Sequence, residues 1–212
     1  MSFLFFIFAL SNLDMDRKFL EKVVDLFIDN GAKTLTMDDI AKEFGMSKKT
    51  LYQMYANKEA LLEDVLEFKL TEVIEKLSEL DNKIENAVER MFCRDEHIEK
   101  AAKSNNSLLI RQLIKYYPAI FNKHMMNFSE RFAEVLIHNI ERGRAQGYYR
   151  DDFDARLYAG IYFQMVMSYD NSPFLDTTKT DRTEYSNIAL MFYMNAITTE
   201  KGKQQLKKYN NL

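Results

Sequence analysis

Tryptophan is absent from this 212-residue chain; cysteine occurs once, proline twice and glycine six times. The single cysteine, Cys93, excludes an intramolecular disulfide framework and fits a reducing compartment, so a cytoplasmic protein is expected. With so few chain breakers, and little alternation of Val, Ile and Thr, the sequence predicts an all-α fold. It also lacks an excess of positive charge: 29 Lys and Arg stand against 32 Asp and Glu. That excludes a protein coated in nucleic acid or anionic lipid, and leaves room for a local basic face. Nor is there a membrane span. The apolar run Phe3–Leu10 is eight residues long, where a span needs about 20. Only Met1 and Ser2 precede it, where a signal peptide needs a basic segment. Residues 1–13 are therefore read as an apolar N-terminal extension. Two readings of it stay open: an extra helical turn packing on the first helix or on a partner, or residues upstream of a start at Met15.

Apolar residues make up 47% of the chain, including 16 Phe and 12 Tyr. This is enough for a substantial core and excludes wholesale disorder. From Asp14 to Asn30, Phe19, Val23, Leu26 and Phe27 recur at helical spacing. Gly31 follows, where a helix end favours a residue able to take positive φ. Thr36 can cap a short second helix, with Asp39 near its exposed amides. Ser47 can cap a third helix carrying Leu51 and Tyr55 on its inner face. Asn57 can cap a long fourth helix through Leu61, Leu62, Val65, Leu66, Val73 and Leu77. Short, separately capped helices joined by a glycine-containing turn are the grammar of a helix-turn-helix. Further helices are predicted over about 83–102, 107–116, 118–146, 154–169 and 182–199. No flexible tether is visible, so the domain boundary is placed inside the fourth helix. Residues 14–62 form the helix-turn-helix domain and residues 63–212 the larger helical one.

Phe44 to Lys58 carries Lys48, Lys49 and Lys58 and no carboxylate. With Ser47 as cap, Lys48, Lys49 and Thr50 occupy the first turn of the third helix, while Tyr52 and Gln53 lie on its outer side. In a helix-turn-helix that end enters the major groove. Lysines and free helix-start amides suit phosphate; Lys, Gln and Thr can also meet base edges. Tyr52 can pack on a thymine methyl or bond a phosphate, and Lys58 can clamp the backbone. With the capping residues Thr36 and Ser47, these six make up the DNA-contact candidates. The alternative is a helical adaptor that uses the same motif to bind protein.

The stretch Thr34–Leu66 resembles the DNA-binding segment of the tetracycline-repressor (TetR) family of bacterial regulators. The matching features are Thr36, Ile40-Ala41, Gly45, Thr50-Leu51-Tyr52, Tyr55 and Lys58-Glu59-Ala60-Leu61. Two positions depart from it: Lys49 stands where many members have a small residue or Pro, and Met54 where many have a phosphate-binding His. The resemblance implies a homodimer joined through its last two long helices and a double-stranded palindromic operator. It further implies a small-molecule effector held in the helical domain and release of a repressor from DNA when that effector binds.

Dense Met and aromatic residues in the later part of the chain favour an apolar or aromatic effector. The pocket candidates are Met91, Phe92, Tyr117, Phe121, Met125, Phe128, Tyr162 and Met165. Cys93 and His97 lie four apart, and two such ligands do not make a metal site. No nucleophile–base set, phosphate loop or HExxH pattern is visible, so neither an enzyme nor a cofactor is expected.

Overall fold

The computed structural model describes residues 3–93 and 106–209, with side chains on the first helix described from Arg17 onward. The described residues are helical apart from turns and one isolated antiparallel bridge, Tyr149 to Thr198. The helices are α1 (Phe3–Asn30), α2 (Met37–Glu43), α3 (Lys48–Met54), α4 (Lys58–Lys83), α5 (Ala87–Phe92), α6 (Asn106–Tyr116), α7 (Pro118–Ala145), α8 (Ala155–Asn171), α9 (Arg182–Ile197) and α10 (Glu200–Leu206). A 3₁₀ turn, Lys207–Tyr209, follows. None of the described helices is long and apolar enough to cross a membrane.

Two predicted boundaries change. Helix α1 starts at Phe3 rather than Asp14, because Ser11 to Asp14 contains no Pro or Gly to interrupt it. The helix predicted over 83–102 is replaced by a break and a new short helix. Asn86 caps α5, its Oδ1 accepting from the N–H groups of Val88 (3.0 Å) and Glu89 (3.1 Å). Cys93 then leaves the helix in an extended conformation. The rest of that prediction, His97 included, lies outside the described residues. Helix α10 was not anticipated; Thr199 caps it through Gly202 N–H at 3.1 Å.

The chain divides into two compact units, Met1–Thr71 with Ser104–His124, and Glu72–Lys103 with Met125–Leu212. In the first unit, α1 packs against α6 and α2 against α3. Phe19 is the clasp of the helix-turn-helix: its ring lies 4.6 Å from Phe44 and 6.1 Å from Tyr55, the residues that end α2 and α3. Val23, Phe27, Ile40, Leu51 and Leu61 are fully buried around this motif.

In the second unit, α8 packs on α9 and α5 on α10. A chain of rings runs Phe128, Phe132, Tyr162, Tyr193, with Phe163 alongside. Near the end of α7 a Cβ on Gly143 would meet the Tyr149 ring at 2.0 Å, so only glycine admits that ring. The Tyr149 hydroxyl then donates to the Ala87 carbonyl at 2.8 Å. The connection after α7 is well tied: Arg150 N–H donates to the Ile197 carbonyl (2.8 Å) and Thr199 N–H to that of Tyr148 (2.9 Å).

Candidate nucleic-acid interface

The three-helix segment is built by its caps. Thr36 adopts an extended backbone, and its hydroxyl oxygen accepts from Asp39 N–H at 3.2 Å. The Asp39 carboxylate reaches back to the Thr36 hydroxyl (2.6 Å) and N–H (3.0 Å), closing a capping box. The Thr36 hydroxyl and then its N–H hold the Asp39 carboxyl below its usual pKa. After α2, Gly45 takes φ 61, a left-handed conformation that favours glycine. A Cβ there would meet nothing within 4 Å, so conformation rather than crowding selects the residue. Ser47 opens α3, accepting from Thr50 N–H at 3.1 Å, and the two hydroxyls lie 2.8 Å apart.

This geometry divides α3 as the sequence indicates. Leu51 is fully buried, Tyr55 half-buried, and Lys48, Lys49, Thr50, Tyr52 and Gln53 are exposed. Met54 is exposed too and carries no donor. Lys49 and Gln53 have no side-chain partner among the described residues. Two other cations are engaged. Lys48 pairs with Asp38 at the start of α2, and that hydrogen bond holds its ammonium above the usual pKa. Lys58 is turned back toward the α1–α2 turn, donating to the Lys33 carbonyl at 3.3 Å; burial lowers its pKa. Asn57 caps α4, accepting from Ala60 N–H at 2.8 Å.

Residues 19–65 match the family model described as bacterial regulatory proteins of the tetR family. The chain's helix-turn-helix segment is therefore of the TetR type. The fatty acid metabolism regulator protein of Bacillus subtilis (strain 168) is 21% identical to this chain over 180 residues, covering 84% of this chain and 93% of that one. Among solved structures, FadR from Bacillus subtilis in complex with stearoyl-CoA matches with a TM-score of 0.66 and 20% identity, covering 84% of this chain and 97% of that one. Reduced NemR from E. coli matches with a TM-score of 0.68 and 17% identity, covering 85% and 96%. The relatives are regulators, and the shared architecture is an N-terminal helix-turn-helix followed by a larger helical part.

The eight pocket candidates are divided between the two units. Tyr117 and Phe121 fall in the first unit and the other six in the second. Tyr117 donates to the Ala32 carbonyl at 3.4 Å, and Phe121 is buried core. Phe92 stacks on Tyr209 at 4.3 Å. Met91, Tyr162 and Met165 pack partly buried against the cluster containing Tyr193. Phe128 joins the ring chain through Phe132 and Phe163, and Met125 is half-buried. Sequence reasoning missed Tyr193. Its hydroxyl is buried without a partner, and burial raises its pKa. Within the apolar sequence of α9, residue type alone does not single it out.

The two histidines in described helices pair with carboxylates of α4: His124 Nδ1 lies 2.9 Å from Glu67, and His138 Nδ1 contacts Asp81. Among the described residues no group of three or more His, Cys, Asp or Glu could hold a metal ion.

If α3 meets DNA, the Asp38–Lys48 contact would compete with it for one of the cations of that helix. Asp38→Asn should free Lys48 and remove a negative charge from the face. Exposed pairs are worth about 0–1 kcal/mol, so operator affinity should rise by up to about fivefold. The gain should be largest at low salt in a fluorescence-anisotropy titration. Unchanged or weaker binding would show that Lys48 does not face phosphate.

Proposed function

We propose that this chain is a cytoplasmic, homodimeric repressor that binds a palindromic operator and is released by a small apolar or aromatic effector. The observation that carries the DNA reading is α3 itself. Its N-terminus is capped, its inner face is fixed by Leu51, and Lys49, Tyr52 and Gln53 face outward without structural duties. Thr36, Ser47, Lys48, Thr50 and Lys58 complete the contact set. The effector reading is supported by the ring chain of the second unit and by the unpartnered Tyr193 hydroxyl, which a bound molecule would satisfy. A relative that binds stearoyl-CoA supports an apolar effector. Helix α4 begins beside the DNA-contact segment and continues through Lys83 into the second unit. It is the element through which effector binding acts. An effector shifts operator affinity only through its unequal affinity for the two states.

The test is a gel shift on DNA flanking the protein's own gene. One site should bind with a steep salt dependence. Gln53→Ala should relax base preference at particular pairs, costing about 1–3 kcal/mol there. If Gln53→Ala leaves both affinity and preference unchanged, α3 does not read the bases.

A further inference from the structure

Several cations of the first unit are neutralised by carboxylates. Lys22 pairs with Glu43 at 3.4 Å, Lys48 with Asp38, and Lys123 with Glu63 at 2.8 Å. Lys33 and Lys115 have no carboxylate partner among the described residues. Instead both sit over one ring: the Lys33 ammonium lies 4.4 Å and that of Lys115 5.3 Å from the centre of Tyr116. All three side chains are exposed.

The backbone beneath them is fixed. Gly31 ends α1 at φ 80, and Lys33 N–H donates to the Gln112 side chain of α6 at 2.8 Å. The Lys33 carbonyl takes the Lys58 hydrogen bond described above. Three residues on, Thr36 opens α2. Three residues span at most about 10 Å, so Lys33 is held within a few base steps of the helix start assigned to DNA. Lys58, turned inward, supports this turn instead of projecting from it.

We propose that Lys33, Lys115 and Tyr116 form a second phosphate-binding patch, through which the protein holds DNA backbone beyond the footprint of α3. Two ammonium groups gathered on one phenol repel each other, and an anion between them relieves that repulsion. The ring holds both stems in place, and its hydroxyl adds a donor to phosphate oxygen. Hydrogen bonding from Lys33, with Lys115 nearby, already draws the Tyr116 phenol below its usual pKa, which marks how cationic the patch is. DNA is the favoured anion because the patch adjoins the helix-turn-helix through Lys58 and Thr36. Phosphate contacts carry no base information, so the patch adds affinity without specificity.

The inference rests on the DNA-binding reading and is tested separately from it. Full-length protein and the Lys33→Gln/Lys115→Gln variant are titrated with the bound flanking duplex and with an unrelated duplex from low to high salt. Each phosphate contact contributes about 0.9 to the slope of log affinity against log salt. With two copies bound, the slope should fall by about 1.8 if each patch meets one phosphate and by about 3.6 if it meets two. The fall should appear on both duplexes, with base preference unchanged. Lys179→Gln, in the second unit, should leave the slope alone. Tyr116→Phe, which keeps both lysines, should weaken binding without changing the slope. Slopes unchanged in the double variant, with the unmodified protein binding normally, overturn the patch and leave the DNA reading standing. An unmodified protein that binds neither duplex removes both.

Discussion

Replacing Asp81 with alanine is expected to destabilise the folded chain by about 3–5 kcal/mol, because it strands buried arginine charge. Asp81 is 3% exposed and Arg90 6%. The Asp81 Oδ2 atom accepts from Arg142 Nη2 at 2.9 Å and contacts His138. Its Oδ1 atom lies 3.8 Å from Arg90 Nε, and neither of those two atoms has a hydrogen-bond partner. The pair is therefore held by charge across a buried gap rather than by a direct bond. Burial lowers the pKa of the Arg90 guanidinium, and the Asp81 charge opposes that shift.

The same arginines close the end of α4. Arg142 Nη1 donates to the carbonyls of Asp81 (2.6 Å) and Ile84 (2.9 Å), and Arg90 Nη2 to that of Leu77 (2.8 Å). These are groups a helix C-terminus leaves unsatisfied, at its negative end. Asp81 thus neutralises the cations that hold the helix. In a urea melt the Asp81→Ala midpoint should fall by about 1–2 M. Asp81→Leu combined with Arg90→Met should recover part of the loss, since removing both charges is far cheaper than removing one. An Asp81→Ala midpoint within experimental error of the original would mean that water reaches the cluster.

What the sequence discloses about this protein is what depends on neighbours along the chain. The caps at Thr36, Ser47 and Asn57, the turn glycine Gly45 and the inward Leu51 are each set by a few residues, and each is found where local chemistry puts it. Partners distant in sequence leave no such trace. The pairing of Lys48 with Asp38, the inward turn of Lys58 and the Lys33–Tyr116 contact span 10, 25 and 83 positions respectively. Periodicity is silent about them. The break at Asn86 was missed for a different reason. Apolar residues on both sides keep helical spacing, and only the Asn86 side chain, bonding two amides, marks a fresh start. The pocket candidates were chosen by residue type, and type alone does not separate Phe121 in one unit from Tyr162 in the other. The same applies to α9, where Tyr193 lies buried next to an exposed Phe192.

That alternation on α9 leads to the largest expected effect on function. Leu157→Glu combined with Phe192→Glu should convert the proposed dimer to a monomer and weaken operator binding by about 100-fold or more. On α8, Leu157 and Ile161 are one turn apart, 61% and 46% exposed; on α9, Ile188 and Phe192 repeat the spacing at 61% and 69%. The two helices pack together, so these side chains lie on a pair of adjacent helices. An open groove of about 880 Å³ runs along α8 past Leu157, Gly160 and Ile161. Burying each such side chain against a second copy contributes about 1.5–3 kcal/mol. Under two-fold symmetry every substitution acts twice, so the double variant sets four carboxylates into the apolar contact. The monomer itself should be unharmed, because substitutions at exposed positions usually shift stability within about 0.5 kcal/mol. Operator binding suffers because each copy then meets its half-site alone. Linking two modest contacts raises affinity by about 10² to 10⁴ over either one, and that gain disappears with the dimer. Sedimentation velocity should show one species at half the original mass, with an unchanged urea midpoint, and gel shifts should show the loss on the palindromic site. A variant that stays dimeric and binds the operator normally would place the subunit contact elsewhere on the molecule.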